Sequence, residues 1–153
     1  MELHTRFVTQ SDDLAELAAG INSAQWDEAN DLDDFSADAL LNYLRQADNW
    51  FVVCEIEVES GLALAGIASG RIQHKPYDNL RWLYVDEVDT TVNYRKRGVA
   101  KSMMRMLLEF ANQHDMDEVW LGTEPENVAA NGLYKSLGPD EVEKFVGYTW
   151  NLE

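Results

Sequence analysis

The sequence predicts an α/β fold in the α+β sense, with a mixed sheet covered by helices. Its segments follow the order β-α-α-β-β-β-α-β-α-β, which is not the strict alternation of a doubly wound parallel sheet. Two consecutive strand segments joined by "ESG" indicate a hairpin, so part of the sheet is antiparallel. The length of 153 residues and the hydrophobic content of 46% fit one domain over residues 1–153.

The first half of the chain contains two helices among its strands. "LHTRFVT" alternates enough to form a first strand. Ser11 and Ser36 precede "DDLAELAAGI" and "ADALLNYLRQA", where a hydroxyl side chain can cap the start of a helix. "NWFVVCEIEV" and "LALAGIASGRIQ" are the hairpin strands, and "LRWLYVDEVDT" is predicted as the next strand.

The second half begins with a long amphipathic helix after "NYRKRG". Its apolar face is built from residues at helical spacing: Val99, Met103, Met106, Leu107 and Phe110. "DEVWLGT" is predicted as a short strand, and "NVAANGLYKSLG" as a helix that ends at Gly138, with Pro139 behind it. "EKFVGYTWNLE" is predicted to close the sheet as a last strand.

Charge and composition exclude several classes of function. The net charge of −16 argues against nucleic acid, whose phosphates would be repelled, and favours neutral or cationic small partners. No apolar run is long enough to span a membrane, and the N-terminus does not resemble a signal peptide, so we expect a cytoplasmic protein. The single cysteine, Cys54, and three scattered histidines have no metal-ligand spacing, so no metal site is predicted.

"RKRGVAK" concentrates positive charge where the long helix begins. The backbone N–H groups at a helix start have no intrahelical partner, and Gly98 and the small Ala100 let a ligand approach them. Four cations accompany these amides: Arg95, Lys96, Arg97 and Lys101. The segment therefore suits an anion, most simply a phosphate or pyrophosphate. The alternative is a basic patch that pairs with acidic neighbours such as Glu87 or Asp89.

The stretches "DEVDTTVNYRKRGVAKSMMRMLLEFA" and "VWLGTEPENVAANGLYKSLG" resemble the GCN5-related N-acetyltransferases (GNAT). Arg95, Gly98 and Ala100 fill the family's Q/R-x-x-G-x-G/A turn, and "NVAANGLY" matches its N-x-x-A-x-x-x-Y pattern. The resemblance implies a mixed, mostly antiparallel sheet of six to seven strands with about four helices. It also implies that two central strands splay apart to hold acetyl-CoA. Pro139 departs from the family, in which most members have an aromatic residue after "YKSLG".

The resemblance also implies roles for individual residues. Main-chain groups of Val88, Asp89 and Thr90 would pair with the pantetheine arm, as would the side chain of Asn127. The pyrophosphate would be bound by the turn and the helix start: Arg95, Lys96, Arg97, Gly98, Val99, Ala100 and Lys101.

Two residues are candidates for proton transfer. Tyr134 would sit near the sulfur and protonate the departing thiolate, unless it is simply a core tyrosine beside Leu133 and Leu137. Glu87 would be the general base, unless water is. Strand alternation is taken to place Asp86 and Asp89 on the face opposite Glu87, an inference that a β-bulge would break.

The acidic run "WDEANDLDDFSAD" suggests the acceptor. With apolar or cation–π contacts from Trp26, Phe35 and Tyr148, it would attract a small cationic amine. Two segments are similar to the aminoglycoside 3-N-acetyltransferases, which makes an aminoglycoside- or polyamine-like acceptor the leading prediction. The alternatives are an acyl-CoA-binding sensor without activity and a protein or peptide acetyltransferase. The apolar C-terminal strand could pair with a second subunit, giving a homodimer.

Overall fold

The computed structural model describes residues 2–27 and 32–153, which group into two compact units that meet in sequence at Gly122 and Thr123. The first unit contains a sheet with helices. Its elements are β1 (Leu3–Phe7), α1 (Leu14–Ser23), α2 (Ala37–Arg45), β2 (Asn49–Val58), β3 (Gly61–His74), β4 (Arg81–Thr90), a 3-10 helix (Val92–Tyr94), α3 (Val99–Gln113) and β5 (Glu118–Trp120). The second unit contains α4 (Val128–Ser136).

The sheet is mixed, as predicted. The strands lie in the order β1-β2-β3-β4-β5, with antiparallel pairing up to β4 and parallel pairing between β4 and β5. The β4–β5 pairing begins at Trp82 and Glu118 and ends at Tyr84 and Trp120. On its β5 side, the rest of β4 (85–90) therefore has no strand partner within the described ranges. Its backbone groups on that edge can pair with an extended ligand.

Within the described ranges the sheet has five strands, so the predicted count of six to seven was too high. The predicted closing strand "EKFVGYTWNLE" is wrong, because the structure assigns no strand to 139–153. An alternating apolar segment becomes a strand only when its backbone finds a neighbouring strand, and alternation alone does not specify that neighbour.

The helix boundaries agree with the sequence at most ends. Ser36 caps α2 as predicted, since its hydroxyl accepts a hydrogen bond from the Ala39 amide. Ser11 does not cap α1. Its hydroxyl pairs with that of Thr9 at 2.8 Å, and Asp13 caps the helix instead. Gly138 follows α4 with φ +70°, the left-handed conformation typical of a residue just past a helix end.

Helices cover both faces of the sheet in the first unit. On one face, α1 and α2 pack over a cluster that includes Phe51, Val53 and Ile67. On the other face, the start of α3 lies so close to β3 that a Cβ on Gly66 would come within 2.6 Å of Val99. The amphipathic prediction for α3 is confirmed, although Met106 is only half-buried. Its buried residues are Val99, Met103, Met104, Leu107, Phe110 and Ala111. In the part of the chain that the structure describes, no helix has the length and apolarity needed to cross a membrane.

Candidate active site

The turn between β4 and α3 leaves backbone donors without an intrahelical partner. Lys96 and Gly98 both have positive φ, +61° and +81°, so the chain reverses tightly before the helix. The first helical hydrogen bond runs from the Ser102 amide to the Gly98 carbonyl at 2.9 Å. The amides of Val99, Ala100 and Lys101 precede that bond, and Gly98 supplies no side chain to cap them. Such a group of outward amides suits an anion, as the sequence predicts.

Three of the four predicted cations around this turn make no ion pair with any residue that the structure describes. Within the described ranges, no carboxylate lies within ion-pair distance of Lys96, Arg97 or Lys101. Arg95 does have a partner, since its guanidinium Nη2 lies 2.7 Å from the carboxylate of Asp27. The alternative of a basic patch paired with acids therefore describes Arg95 alone, and its partner is neither Glu87 nor Asp89.

The Arg95–Asp27 ion pair borders a cleft of about 580 Å³. One wall is the segment that follows α1, and the other is the segment that leads into α3. Its lining consists of Ala24, Gln25, Trp26, Asp27, Val92 and Arg95. The two walls are joined by a hydrogen bond from the Val92 amide to the Gln25 carbonyl at 3.0 Å. The segment after α1 is thus tied to the residues just ahead of the anion-binding turn.

A bulge in β4 determines where its acidic side chains point. Ser69 of β3 pairs with Glu87, whereas the next residue, Gly70, pairs with Val85, so Asp86 is an extra residue on β4. Asp89 pairs with Ile67, which belongs to the cluster under α1 and α2. Because directly paired residues share a face, the side chains of Glu87 and Asp89 both lie on the α1–α2 face.

The predicted opposition of Asp86 and Asp89 to Glu87 is therefore wrong, for two reasons. Residues two apart on a strand share a face, which places Glu87 and Asp89 together. The bulge adds Asp86, whose carboxylate lies 3.3 Å from the guanidinium of Arg71. Arg71 is two residues from Ser69 on an unbulged stretch of β3, so it lies on the same face. The carboxylates of Asp86, Glu87 and Asp89 therefore all lie on the α1–α2 face.

Asp89 is the buried member of this acidic group. Its relative exposure is 4%, whereas Asp86 and Glu87 are exposed. Burial raises the pKa of the Asp89 carboxyl, and the charge of Glu87 and a hydrogen bond with Glu87 raise it further, to about 7. As a site residue, Asp89 was predicted only to offer its main chain to the pantetheine arm. Counting the two-residue period of the strand correctly would have placed its side chain beside Glu87.

The other residues assigned to a site lie in the second unit, at the start and in the last turn of α4. Asn127 caps the helix, because its side-chain oxygen accepts a hydrogen bond from the Ala130 amide at 3.0 Å. The side-chain NH₂ of Asn127 is the group that can donate to a ligand. Tyr134 is half-buried on the same helix.

The residues proposed to bind the acceptor differ in exposure. Glu28, Ala29, Asn30 and Asp31 of the acidic run lie outside the described residues. Trp26 and Phe35 are partly buried against the α1–α2 core, and the Trp26 indole N–H donates to the Ile21 carbonyl at 2.8 Å. In the second unit, Tyr148 is exposed.

A mixed sheet in which β4 extends beyond its parallel pairing with β5, together with an amide-rich turn at a helix start, is what the resemblance to acyl-CoA-dependent transferase domains implies. The chain belongs to the acetyltransferase (GNAT) family, whose model matches residues 12–138. The resemblance seen in the two motifs is thereby confirmed. Acetyl-CoA is the acetyl donor of this family. The turn of this chain fits the anionic end of such a donor, because it offers free amides and unpaired cations together.

The relatives found by sequence comparison are named as acetyltransferases of different acceptors. The chain is 35% identical over 96 residues to an N-acetylaspartate synthetase of Xenopus tropicalis, covering 63% of this chain and 32% of that protein. It is 28% identical over 107 residues to N-alpha-acetyltransferase 30 of Saccharomyces cerevisiae, covering 68% and 61% respectively. The chain thus spans about a third of the first of these relatives.

Solved structures confirm the fold. An aminoglycoside acetyltransferase from an uncultured soil metagenomic sample, in complex with sisomicin, superposes with a TM-score of 0.81 at 17% identity, covering 99% of this chain and 97% of that one. A ribosomal-protein-alanine N-acetyltransferase from Brucella melitensis gives a TM-score of 0.72 at 16% identity, covering 99% and 100%. At these identities the likeness concerns the fold alone.

Proposed function

We propose that this chain transfers the acetyl group of acetyl-CoA directly to a primary amine of a small cationic acceptor. Family membership supports the transfer chemistry. The observation that supports the cationic acceptor is the gathering of three carboxylates, Asp86, Glu87 and Asp89, on the α1–α2 face of β4. Carboxylates on one face attract cations and repel anions.

Most of the residues proposed to hold acetyl-CoA lie between Val88 and Lys101, on β4 and in the turn before α3. The unpartnered edge of β4 offers the backbone groups of Val88, Asp89 and Thr90 to an amide-containing arm. The turn that follows offers the amides at 99–101 and the unpaired charges of Lys96, Arg97 and Lys101 to phosphates. Asn127 is proposed to donate its side-chain NH₂ to the pantetheine, as the family resemblance implies.

The proposed chemistry needs a base and an acid. An alkyl amine is mostly protonated at pH 7, so a proton must leave before the nitrogen can attack the thioester. Glu87 is proposed as the base, because it is exposed beside the cofactor-binding edge of β4, whereas the other exposed carboxylate, Asp86, is paired with Arg71. Tyr134 is proposed as the acid that protonates the departing thiolate. Cys54 is fully buried, which is consistent with direct transfer and not with an acyl-cysteine intermediate.

The carboxylates on the α1–α2 face of β4 favour a polycationic amine over the other acceptors named for the relatives. An acceptor like aspartate carries carboxylates of its own, which the acidic face of β4 would repel. An aminoglycoside or polyamine carries further ammonium groups, which the same face would bind. Asp27 adds an acidic group at the cleft after α1. A peptide N-terminus is the second candidate, with a single amine to recognise.

A panel assay tests the proposal. Thiol release would be followed with acetyl-CoA and, separately, sisomicin, spermidine, aspartate and a peptide with a free N-terminus. We expect turnover with the first two, at a kcat/KM at least about tenfold above that for aspartate, from one to two extra charge contacts. Turnover with aspartate alone would contradict the cationic acceptor. No turnover with any amine, together with a coenzyme A-induced rise in Tm, would indicate a sensor.

A pair of matched variants tests the coenzyme A site separately. Arg97→Gln removes a cation from the turn, and Arg105→Gln removes an exposed cation two turns into the same helix. Losing one charge-assisted contact to phosphate should raise the Kd for coenzyme A about tenfold in the first variant. The second should bind normally. Equal effects in both variants would show that general charge, and not the turn, determines affinity.

We propose three further features, which concern the domain organisation, the cellular location and the oligomeric state. The two compact units act as a single domain, a proposal supported by a family match that runs across both from residue 12 to 138. The protein is cytoplasmic, and it forms a homodimer through its apolar C-terminal segment. Light scattering on the full chain, compared with a variant carrying Trp150→Lys, would test the dimer. A monomeric wild-type chain would contradict it.

A further inference from the structure

Asp89 is a buried carboxyl next to an exposed one. Its side chain is 4% exposed, and it lies two residues from Glu87 on the same face of β4. Residues two apart on a strand are neighbours on one face, so the charge of Glu87 acts directly on Asp89. Across the strand, Asp89 faces the apolar Ile67, so its environment is poor in water on that side. Burying an acidic side chain against an apolar core costs free energy, and such a cost is typical of functional positions.

The other ionisable groups near this stretch are already engaged. Asp86 pairs with Arg71, and the Tyr43 hydroxyl of α2 donates to the Gly70 carbonyl at 3.0 Å. Arg95 pairs with Asp27 beyond the end of β4. Among the described residues, Glu87 is a charged neighbour that raises the pKa of Asp89.

We propose that Asp89 is a positioning residue for the acetyl transfer: it shares a proton with Glu87 and thereby makes Glu87 a stronger base toward the acceptor ammonium. The proposal rests on the proposed function. Two carboxylates in contact repel each other, so the pair retains one proton more readily than a lone carboxylate would. A lone carboxyl titrates near 4, far from the value of about 10 for an alkyl ammonium. A pair that takes up its proton near neutral pH matches the reaction better.

The proton balance of the step is simple. The ammonium gives one proton to the Glu87–Asp89 pair, and the neutral nitrogen forms a bond to the thioester carbonyl carbon. The C–S bond breaks as the amide forms, the nitrogen loses a second proton, and the thiolate takes up one. One proton is therefore left over per turnover, and the Glu87–Asp89 pair returns it to water.

The pKa of Asp89, raised to about 7 by burial and by Glu87, sets the direction of the expected pH dependence. Below that pH the pair already carries its first proton, and the carboxylate that remains is too weak a base to take a proton readily from an ammonium group. Activity should therefore rise with pH through about 7 and then level off. Without Asp89, this rise, the ascending limb of the pH profile, should disappear from the region near pH 7. A single carboxylate is already ionised well below that pH.

The test compares pH profiles of kcat/KM for the wild type, Asp89→Asn and Asp86→Asn, using spermidine or sisomicin as acceptor. We expect Asp89→Asn to lower kcat at pH 8 at least about tenfold, with the KM for the acceptor changed less than about threefold, and to lose the limb near pH 7. Asp86→Asn, the matched carboxylate next to Glu87, should keep the limb. An Asp89→Asn profile that retains the limb, with kcat within twofold of wild type, would overturn the proposal.

A second measurement does not depend on any Asp89 variant. Carbon NMR of the side-chain carboxyls should show Asp89 titrating near neutral pH in the wild-type protein, and titrating lower after Glu87→Gln. An Asp89 ionised throughout pH 5–9 would overturn the proposal. If the wild type turns over no acceptor, the proposed function fails and this inference fails with it. If the wild type turns over an acceptor and Asp89→Asn keeps the ascending limb near pH 7, this inference fails and the proposed function stands.

Discussion

Replacing Asp89 with asparagine should change how the free energy of unfolding depends on pH. In the folded protein, burial and Glu87 raise the pKa of Asp89 from 3.8 to about 7. The folded state therefore binds a proton that the unfolded chain releases. Stability from this group is fully present below the unfolded pKa and is lost as pH rises toward the folded one. Asparagine cannot ionise, so the variant should not show this loss.

The magnitude follows from the two pKa values. For a group that titrates at 3.8 when unfolded and near 7 when folded, raising the pH from 5 to 8 costs about 2–3 kcal/mol of unfolding free energy. Asp89 is 4% exposed, so solvent screening reduces this value little. Between pH 5 and pH 8, the free energy of unfolding of Asp89→Asn should therefore rise by about that amount relative to that of the wild type. The whole interval lies above the isoelectric point of about 4.4.

Urea unfolding at pH 5 and pH 8 measures this difference. With an m-value of about 2 kcal/mol/M, the relative shift in midpoint should be about 1 M, well above experimental error. Asp86→Asn is the control, because Asp86 is exposed and paired with Arg71 and should show no comparable shift. If the difference between Asp89→Asn and wild type stays constant within about 0.5 kcal/mol, Asp89 does not carry a raised pKa and the reasoning fails.

Four further substitutions test other parts of the structure. Gly66→Ala should destabilise the fold by about 1–3 kcal/mol in urea, because its Cβ would lie 2.6 Å from a Val99 methyl group. Gly98→Ala should cost about 1–2 kcal/mol through its φ of +81° and weaken coenzyme A binding by calorimetry, although its Cβ meets open space. Asp27→Asn should tighten coenzyme A binding about two- to fivefold at low salt and less at high salt, by freeing the Arg95 side chain from its 2.7 Å ion pair. Tyr134→Phe should lower kcat at least about tenfold with a nearly unchanged Kd for coenzyme A, and an unchanged rate would remove Tyr134 from the mechanism.

The elements with strong local signals could be predicted from the sequence. Ser36 caps α2 and the hairpin strands occupy their predicted segments, because capping and alternation act within a few residues. The amides around Gly98 could also be predicted, since a helix start always leaves them free. The misplaced cap at Ser11 shows the limit of such signals. Asp13 lies two residues further on and caps equally well, so tertiary packing decides between them.

Features that depend on partners distant in sequence could not be predicted. Arg95 and Asp27 are 68 residues apart, and no local pattern links them. The missing closing strand is a failure of the same kind, because its alternation does not specify a neighbour. The bulge at Asp86 depends on the register with β3 and not on the residues of β4 alone. The ion pair, the missing strand and the bulge each alter the candidate site, whereas a shift of a helix end by one or two residues does not.

The bulge explains how one strand can serve both substrates. The backbone of β4 beyond Tyr84 is open on its β5 edge, where an acyl-CoA arm could pair. On the α1–α2 face the same stretch presents carboxylates, where a cation could bind. In a regular strand Asp86 would point away from Glu87, and the acidic face would hold two carboxylates instead of three. One extra residue therefore adds a carboxylate, paired with Arg71, to the face proposed for the acceptor without disturbing the edge proposed for the cofactor.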